Sequence, residues 1–67
     1  MHPGLAIKIT QEATRTQEKV ELQQNNIILD AKSILGVMTL CTIENIKIRT
    51  KDKKTQENIM KLLEAEE

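Results

Sequence analysis

Lys19-Val20-Glu21-Leu22-Gln23, then Gln24-Asn25-Asn26, then Ile27-Ile28-Leu29 is the stretch whose pattern decides the fold. The first five residues alternate polar and apolar with period two, the mark of a strand that buries one face. The Gln24-Asn25-Asn26 triplet is a turn signal and the isoleucine-rich run after it reads as a second strand, so the segment predicts a β-hairpin. Working outward, residues 3 to about 16 place Leu5, Ala6, Ile9 and Ala13 at one-turn spacings, with Lys8, Gln11, Glu12 and Arg15 elsewhere, which predicts an amphipathic helix. Pro3 suits its first turn, where the missing N–H would have no helical partner, and this makes His2 the cap. On the other side, Ser33 to Leu40 returns to helical spacing, with Ile34 and Met38 one turn apart and Ser33, a preferred cap residue, in front. Ile46-Lys47-Ile48-Arg49-Thr50 alternates again and predicts a third strand. From about Lys53 to Glu66, Ile59, Met60, Leu62 and Leu63 form a helical stripe, with Asp52 and Thr55 both available as caps. The order α, β, β, α, β, α predicts an α+β architecture, with helices layered on one face of a small antiparallel sheet.

The chain of 67 residues is long enough for one domain, and no repeat, linker or low-complexity block divides residues 1–67. A domain of this size buries only roughly 60% of its unfolded surface, so its stability margin is small. Hydrophobic residues make up 39% and aromatics 0%, which leaves a core of aliphatic and methionine side chains. Ten basic and ten acidic residues cancel to a net charge of zero. With no basic field and no aromatic platform for bases, nucleic acid is not an expected partner. No apolar run reaches the 18 or more residues of a membrane span, and no charged region precedes an apolar one at the front, so neither membrane insertion nor secretion is expected. A single cysteine, Cys41, forms no internal disulfide, which fits a reducing, cytoplasmic compartment.

Few side chains offer chemistry. His2 is the one histidine, and near a terminus such a residue is ordinarily an inert, solvated side chain. Here it stands before a helix whose first N–H groups and dipole favour an anion, so a phosphoryl group on the imidazole would be held by the helix start. Ser33 reads most plainly as a cap; a phosphate there would also gain from the dipole. Ile34, Leu35, Val37 and Met38 crowd four large apolar residues into five positions, as core packing or as a docking patch. Cys41 has no neighbouring histidine or basic cluster and reads as an unreactive small apolar residue. Lys51-Asp52-Lys53-Lys54 reads as a solvated charged loop, and the glutamates as solvent-facing. Neither a metal site nor a cofactor is expected: no second histidine or cysteine-histidine spacing accompanies His2, and there is no glycine-rich phosphate loop.

Ala31-Lys32-Ser33-Ile34-Leu35-Gly36-Val37-Met38-Thr39-Leu40 resembles the regulatory-serine segment of HPr, the histidine-containing phosphocarrier of the bacterial sugar phosphotransferase system, in its Gram-positive form. His2 lies 31 positions before Ser33, the separation of active-site histidine and regulatory serine in that family. The resemblance implies an HPr-like open-faced β-sandwich and a phosphoryl carrier rather than a classical enzyme. His2 would accept the phosphoryl group from enzyme I and pass it to sugar-specific carrier domains. Ser33 would be the site of HPr kinase/phosphorylase, with Ile34, Leu35 and Met38 docking partners, a catabolite repressor protein among them.

Two features depart from the pattern. Where the family carries an arginine two residues after the histidine, this chain has Gly4 in His2-Pro3-Gly4-Leu5. The family's sheet also begins with an edge strand ahead of the histidine, and here that first edge strand is expected to be missing, leaving Ile46–Thr50 unpaired on one side. These departures keep a second reading open, a regulatory paralogue in carbon catabolite repression that works through phosphorylated Ser33 with little or no histidine transfer. A third is a structural module that self-associates through the open edge, as an edge-paired or strand-exchanged homodimer.

Overall fold

The hairpin forms, one residue later than the alternation alone places it. In the computed structural model, which describes residues 1–66, β1 spans Val20–Gln24 and β2 spans Ile27–Asp30. Gln24 pairs with Ile27, so the connection is the two residues Asn25 and Asn26 rather than a triplet. Asn25 takes a left-handed backbone (φ 55°), which its short polar side chain tolerates better than most. Gln24 belongs to the sheet because its buried side chain is satisfied elsewhere: Nε2 donates to the carbonyls of Thr42 at 3.0 Å and Glu44 at 2.9 Å.

β3, Ile46–Thr50, has the bounds that the alternation predicts. It pairs antiparallel with β1, and the sheet order is β2-β1-β3. Val20, Leu22 and Ile48 point into the core, with Leu22 and Ile48 directly opposite each other. Glu21, Gln23, Lys47 and Arg49 alternate onto the other face, where Arg49 donates to Gln23 at 3.2 Å. β3 lies at a sheet edge among the described residues, as expected.

Three helices cover the inner face. α1, Pro3–Thr14, buries Leu5, Ala6, Ile9 and Ala13, the stripe its spacing predicts. It ends two residues short of the expected position because the Thr16 hydroxyl accepts the Glu18 N–H at 3.1 Å and turns the chain away. α2 is only Ile34–Met38, shorter than Ser33–Leu40 because Thr39 closes it by donating its hydroxyl to the Gly36 carbonyl at 2.6 Å. α3, Lys53–Glu64, buries Thr55, Ile59 and Leu63. Its cap is Asp52, whose carboxylate accepts the Thr55 N–H at 3.1 Å; Thr55 itself is buried in the first turn. Lys51-Asp52-Lys53-Lys54 is therefore a helix start rather than a solvated loop. Two lysines in a first turn oppose the helix dipole, and the Asp52 anion offsets them. α1 packs against both other helices, α3 against β3 and α2 against β2, which gives the α+β open-faced layering expected. Among the described residues, no helix is long and apolar enough to cross a membrane.

Candidate functional site

His2 caps α1. Its backbone is extended (φ −72°, ψ 153°), its carbonyl accepts the Ala6 N–H at 3.1 Å, and Nδ1 accepts the Leu5 N–H at 3.1 Å. Pro3 has no N–H to satisfy, so Gly4 and Leu5 supply the amides of the first turn that have no helical carbonyl. The other ring nitrogen, Nε2, lies 2.5 Å from Glu66 Oε1. An imidazole that accepts at Nδ1 carries its proton at Nε2, where the carboxylate accepts it. The two contacts thus select the same tautomer, with the Nδ1 lone pair at the helix start. The His2 side chain is 58% exposed and that of Glu66 33%, so the pair is open to an approaching molecule.

Gly4 leaves the Nδ1 edge uncrowded. A Cβ at this position would stand 3.3 Å from Nδ1, tight enough that the ring would have to shift. No guanidinium is present two residues after the histidine, so positive potential there comes from the first-turn amides of α1. That dipole is worth about 0.3–1 kcal/mol to an exposed anion.

Ser33 caps α2: Oγ accepts the Gly36 N–H at 3.2 Å, and the residue is exposed. The four apolar residues that follow are split by the fold. Val37 is fully buried, whereas Leu35 is 77% exposed and Ile34 and Met38 are exposed as well. The backbone nitrogen of Met1 donates to the carbonyl of Leu40, just beyond α2, which sets the start of α1 beside the end of α2. Ser33 stands at the opposite end, about 7 Å away along the five-residue axis at 1.5 Å per residue. Ile34, Leu35 and Met38 occupy the helix between the two caps.

One expectation is corrected. Glu66 is in contact with His2, and Glu12, half-buried, accepts the Asn58 amide at 2.7 Å, so these two glutamates are not simply solvent-facing. Cys41 is exposed, and Leu40 beside it is buried. No spacing in the sequence announces Glu66, which is 64 positions from His2; packing of α3 against α1 brings it there. Among the described residues, no group of three or more His, Cys, Asp or Glu is placed to hold a metal ion. A surface cavity of about 380 Å³ is lined by Glu18, Lys19, Glu21, Arg49, Thr50 and Lys51 and includes neither His2 nor Ser33.

The family profile for the PTS HPr component phosphorylation site matches residues 1–66. The chain belongs to the HPr family. Comparison with curated proteins finds no match. Among solved structures, this HPr domain is similar to selenomethionyl Crh of Bacillus subtilis, a catabolite repression protein whose structure is a swapped, intertwined dimer. The TM-score is 0.86 at 21% identity, covering 97% of this chain and 80% of Crh. It is also similar to an HPr dimer from Thermoanaerobacter tengcongensis, with a TM-score of 0.69 at 24% identity, covering 97% and 76% of the two chains. At these identities the likeness shows the HPr-type fold.

Proposed function

We propose that this HPr-family domain is a phosphocarrier of the sugar phosphotransferase system, with His2 as the acceptor. One observation carries this: in a chain matched throughout by the family's phosphorylation-site profile, the one histidine caps a twelve-residue helix with Nδ1 at its free amides. Nδ1 attacks phosphorus, and the amides of the first turn then donate to phosphoryl oxygens in place of the ring nitrogen. The N–P bond keeps a high transfer potential, as a relay requires. Enzyme I is the donor and sugar-specific carrier domains are the acceptors. The domain is a carrier rather than a classical enzyme, working in the cytoplasm without cofactor or membrane insertion.

Ser33 is the regulatory position, a substrate of HPr kinase/phosphorylase in the manner of Gram-positive HPr proteins. A phosphate on its exposed oxygen adds charge beside Ile34, Leu35 and Met38. These side chains are the docking surface for partner proteins, a catabolite repressor among them. Incubation with enzyme I and phosphoenolpyruvate is expected to raise the intact mass by one phosphoryl group, and His2→Ala abolishes the gain. An unchanged mass overturns the carrier reading. Incubation with HPr kinase and ATP is expected to label the parent chain and not Ser33→Ala.

Gly4 supports a second reading, a regulatory paralogue in carbon catabolite repression. Without a guanidinium beside the phosphoryl group, histidine transfer is weak and phosphorylated Ser33 carries the function. Kinase labelling of Ser33 with no labelling of His2 by enzyme I selects it, and transfer through His2 at the rate of an ordinary HPr rejects it. The open edge of β3 also favours a homodimer, edge-paired or strand-exchanged, in line with the dimeric states of Crh and of the Thermoanaerobacter HPr.

A further inference from the structure

Glu66 follows the last turn of α3, where a negative charge opposes the helix dipole. Its position is nevertheless well held. Its N–H donates to the carbonyl of Leu63, a core residue, at 3.2 Å, and the Ala65 N–H before it donates to the Lys61 carbonyl at 3.1 Å. From there the carboxylate reaches the far ring nitrogen of the residue that caps α1. The same contact favours the histidine tautomer with its proton on Nε2.

We propose that Glu66 is the positioning residue for phosphoryl transfer through His2: its carboxylate holds the ring by the Nε2 proton, leaves the Nδ1 lone pair as nucleophile, and balances the charge the ring acquires. This rests on the phosphocarrier reading. In the step, the Nδ1–P bond forms as the bond from phosphorus to the phosphorylated donor breaks, and the donor atom leaves with the electron pair. The ring, still protonated at Nε2, becomes a cation. The carboxylate stays ionised and pairs with this cation through the Nε2 proton. The Leu5 N–H, freed from Nδ1, donates to a phosphoryl oxygen. Where Gly4 supplies no cation to the phosphoryl side, Glu66 acts on the opposite edge of the ring.

The test compares the parent chain with Glu66→Ala, Glu66→Gln and Glu66→Asp. Two quantities are measured: the rate of His2 phosphorylation by enzyme I and phosphoenolpyruvate, and the nuclear magnetic resonance signal of the Nε2 proton in the unphosphorylated protein. In the parent this proton is expected to be protected from exchange by the carboxylate and to give a separate downfield resonance. Glu66→Ala is expected to lose that resonance and to slow phosphorylation about tenfold, as for an exposed, partly screened ion pair at close range. Glu66→Gln, which keeps an acceptor and loses the charge, slows by a similar factor, and Glu66→Asp restores most of the rate. Equal rates in the parent and Glu66→Ala, or an Nε2 resonance indifferent to the substitution, overturn the role of Glu66. A parent chain that takes no phosphoryl group overturns the carrier reading itself.

Discussion

Thr10 carries a buried hydroxyl that finds no hydrogen-bond partner among the described residues. It sits on α1 next to Ile9, whose side chain is at the centre of the core. A buried unpaired hydroxyl costs about 1–3 kcal/mol relative to a group that is satisfied or apolar. Thr10→Val keeps the branched shape and removes the oxygen, and helix propensity is nearly unchanged. The substitution is expected to stabilise the domain by about 1 kcal/mol, seen as a rise in Tm of about 4–8 °C for a chain of this size. A lower Tm would mean that the hydroxyl is already satisfied in solution. The site residues behave differently: His2 Nδ1 and Ser33 Oγ each satisfy an amide at a helix start, and both remain exposed. Each therefore caps its helix through the same atom that the proposed function would phosphorylate.

Each element ends where a side chain takes over a backbone group. Asp52 does this for α3, and donation from the Thr55 N–H, followed by contacts with the Thr16 hydroxyl and the Lys54 N–H, holds its carboxyl below the usual carboxylate range. A carboxyl with a depressed folded pKa contributes stability that is complete above the unfolded value, about pH 4, and is lost as pH falls through the lower folded value. Asp52→Ala is thus expected to melt below the parent at neutral pH, with the gap closing as the pH is taken from about 5 to about 2. Parallel melting curves across that range would count against the cap. Gln24 plays the same part for the link between α2 and β3. Its amide holds the carbonyls of Thr42 and Glu44 from inside the core. Gln24→Ala leaves both carbonyls without that donor, and a loss of about 2 kcal/mol in chemical denaturation is expected. Amide exchange should accelerate in residues 42–45 more than in the hairpin.

For the molecule as a whole, the proposed homodimer would form at the sheet edge of β3. Its outer-face residues Lys47 and Arg49 are basic, and antiparallel pairing of two β3 edges brings these like charges together. A homodimer joined this way strengthens as salt screens the repulsion, since the Debye length falls from about 10 Å at 0.1 M to about 3 Å at 1 M. Sedimentation across a concentration series is expected to show more dimer at high salt than at low. Dissociation by salt would reject edge pairing, and a clean monomer at every concentration would reject self-association altogether.

The alternation at 46–50, the α1 stripe and the cap at His2 were legible in the residues because each depends on neighbours within a turn or a strand. The hairpin was legible to within one residue, and Gln24 fell outside it because the groups that satisfy its amide lie 18 and 20 positions away. The four apolar residues after Ser33 set a short apolar helix, but only packing onto α1 and β2 decided that Val37 turns inward and Ile34, Leu35 and Met38 stay out. The same holds for Glu66, whose distance from His2 is set by how α3 lies against α1. Local backbone preferences determine which segments are helices and strands and which side chains can cap them. The choice of which side chains meet across the molecule belongs to the packed core, because burial is shared among all the elements at once and no short window of sequence carries it.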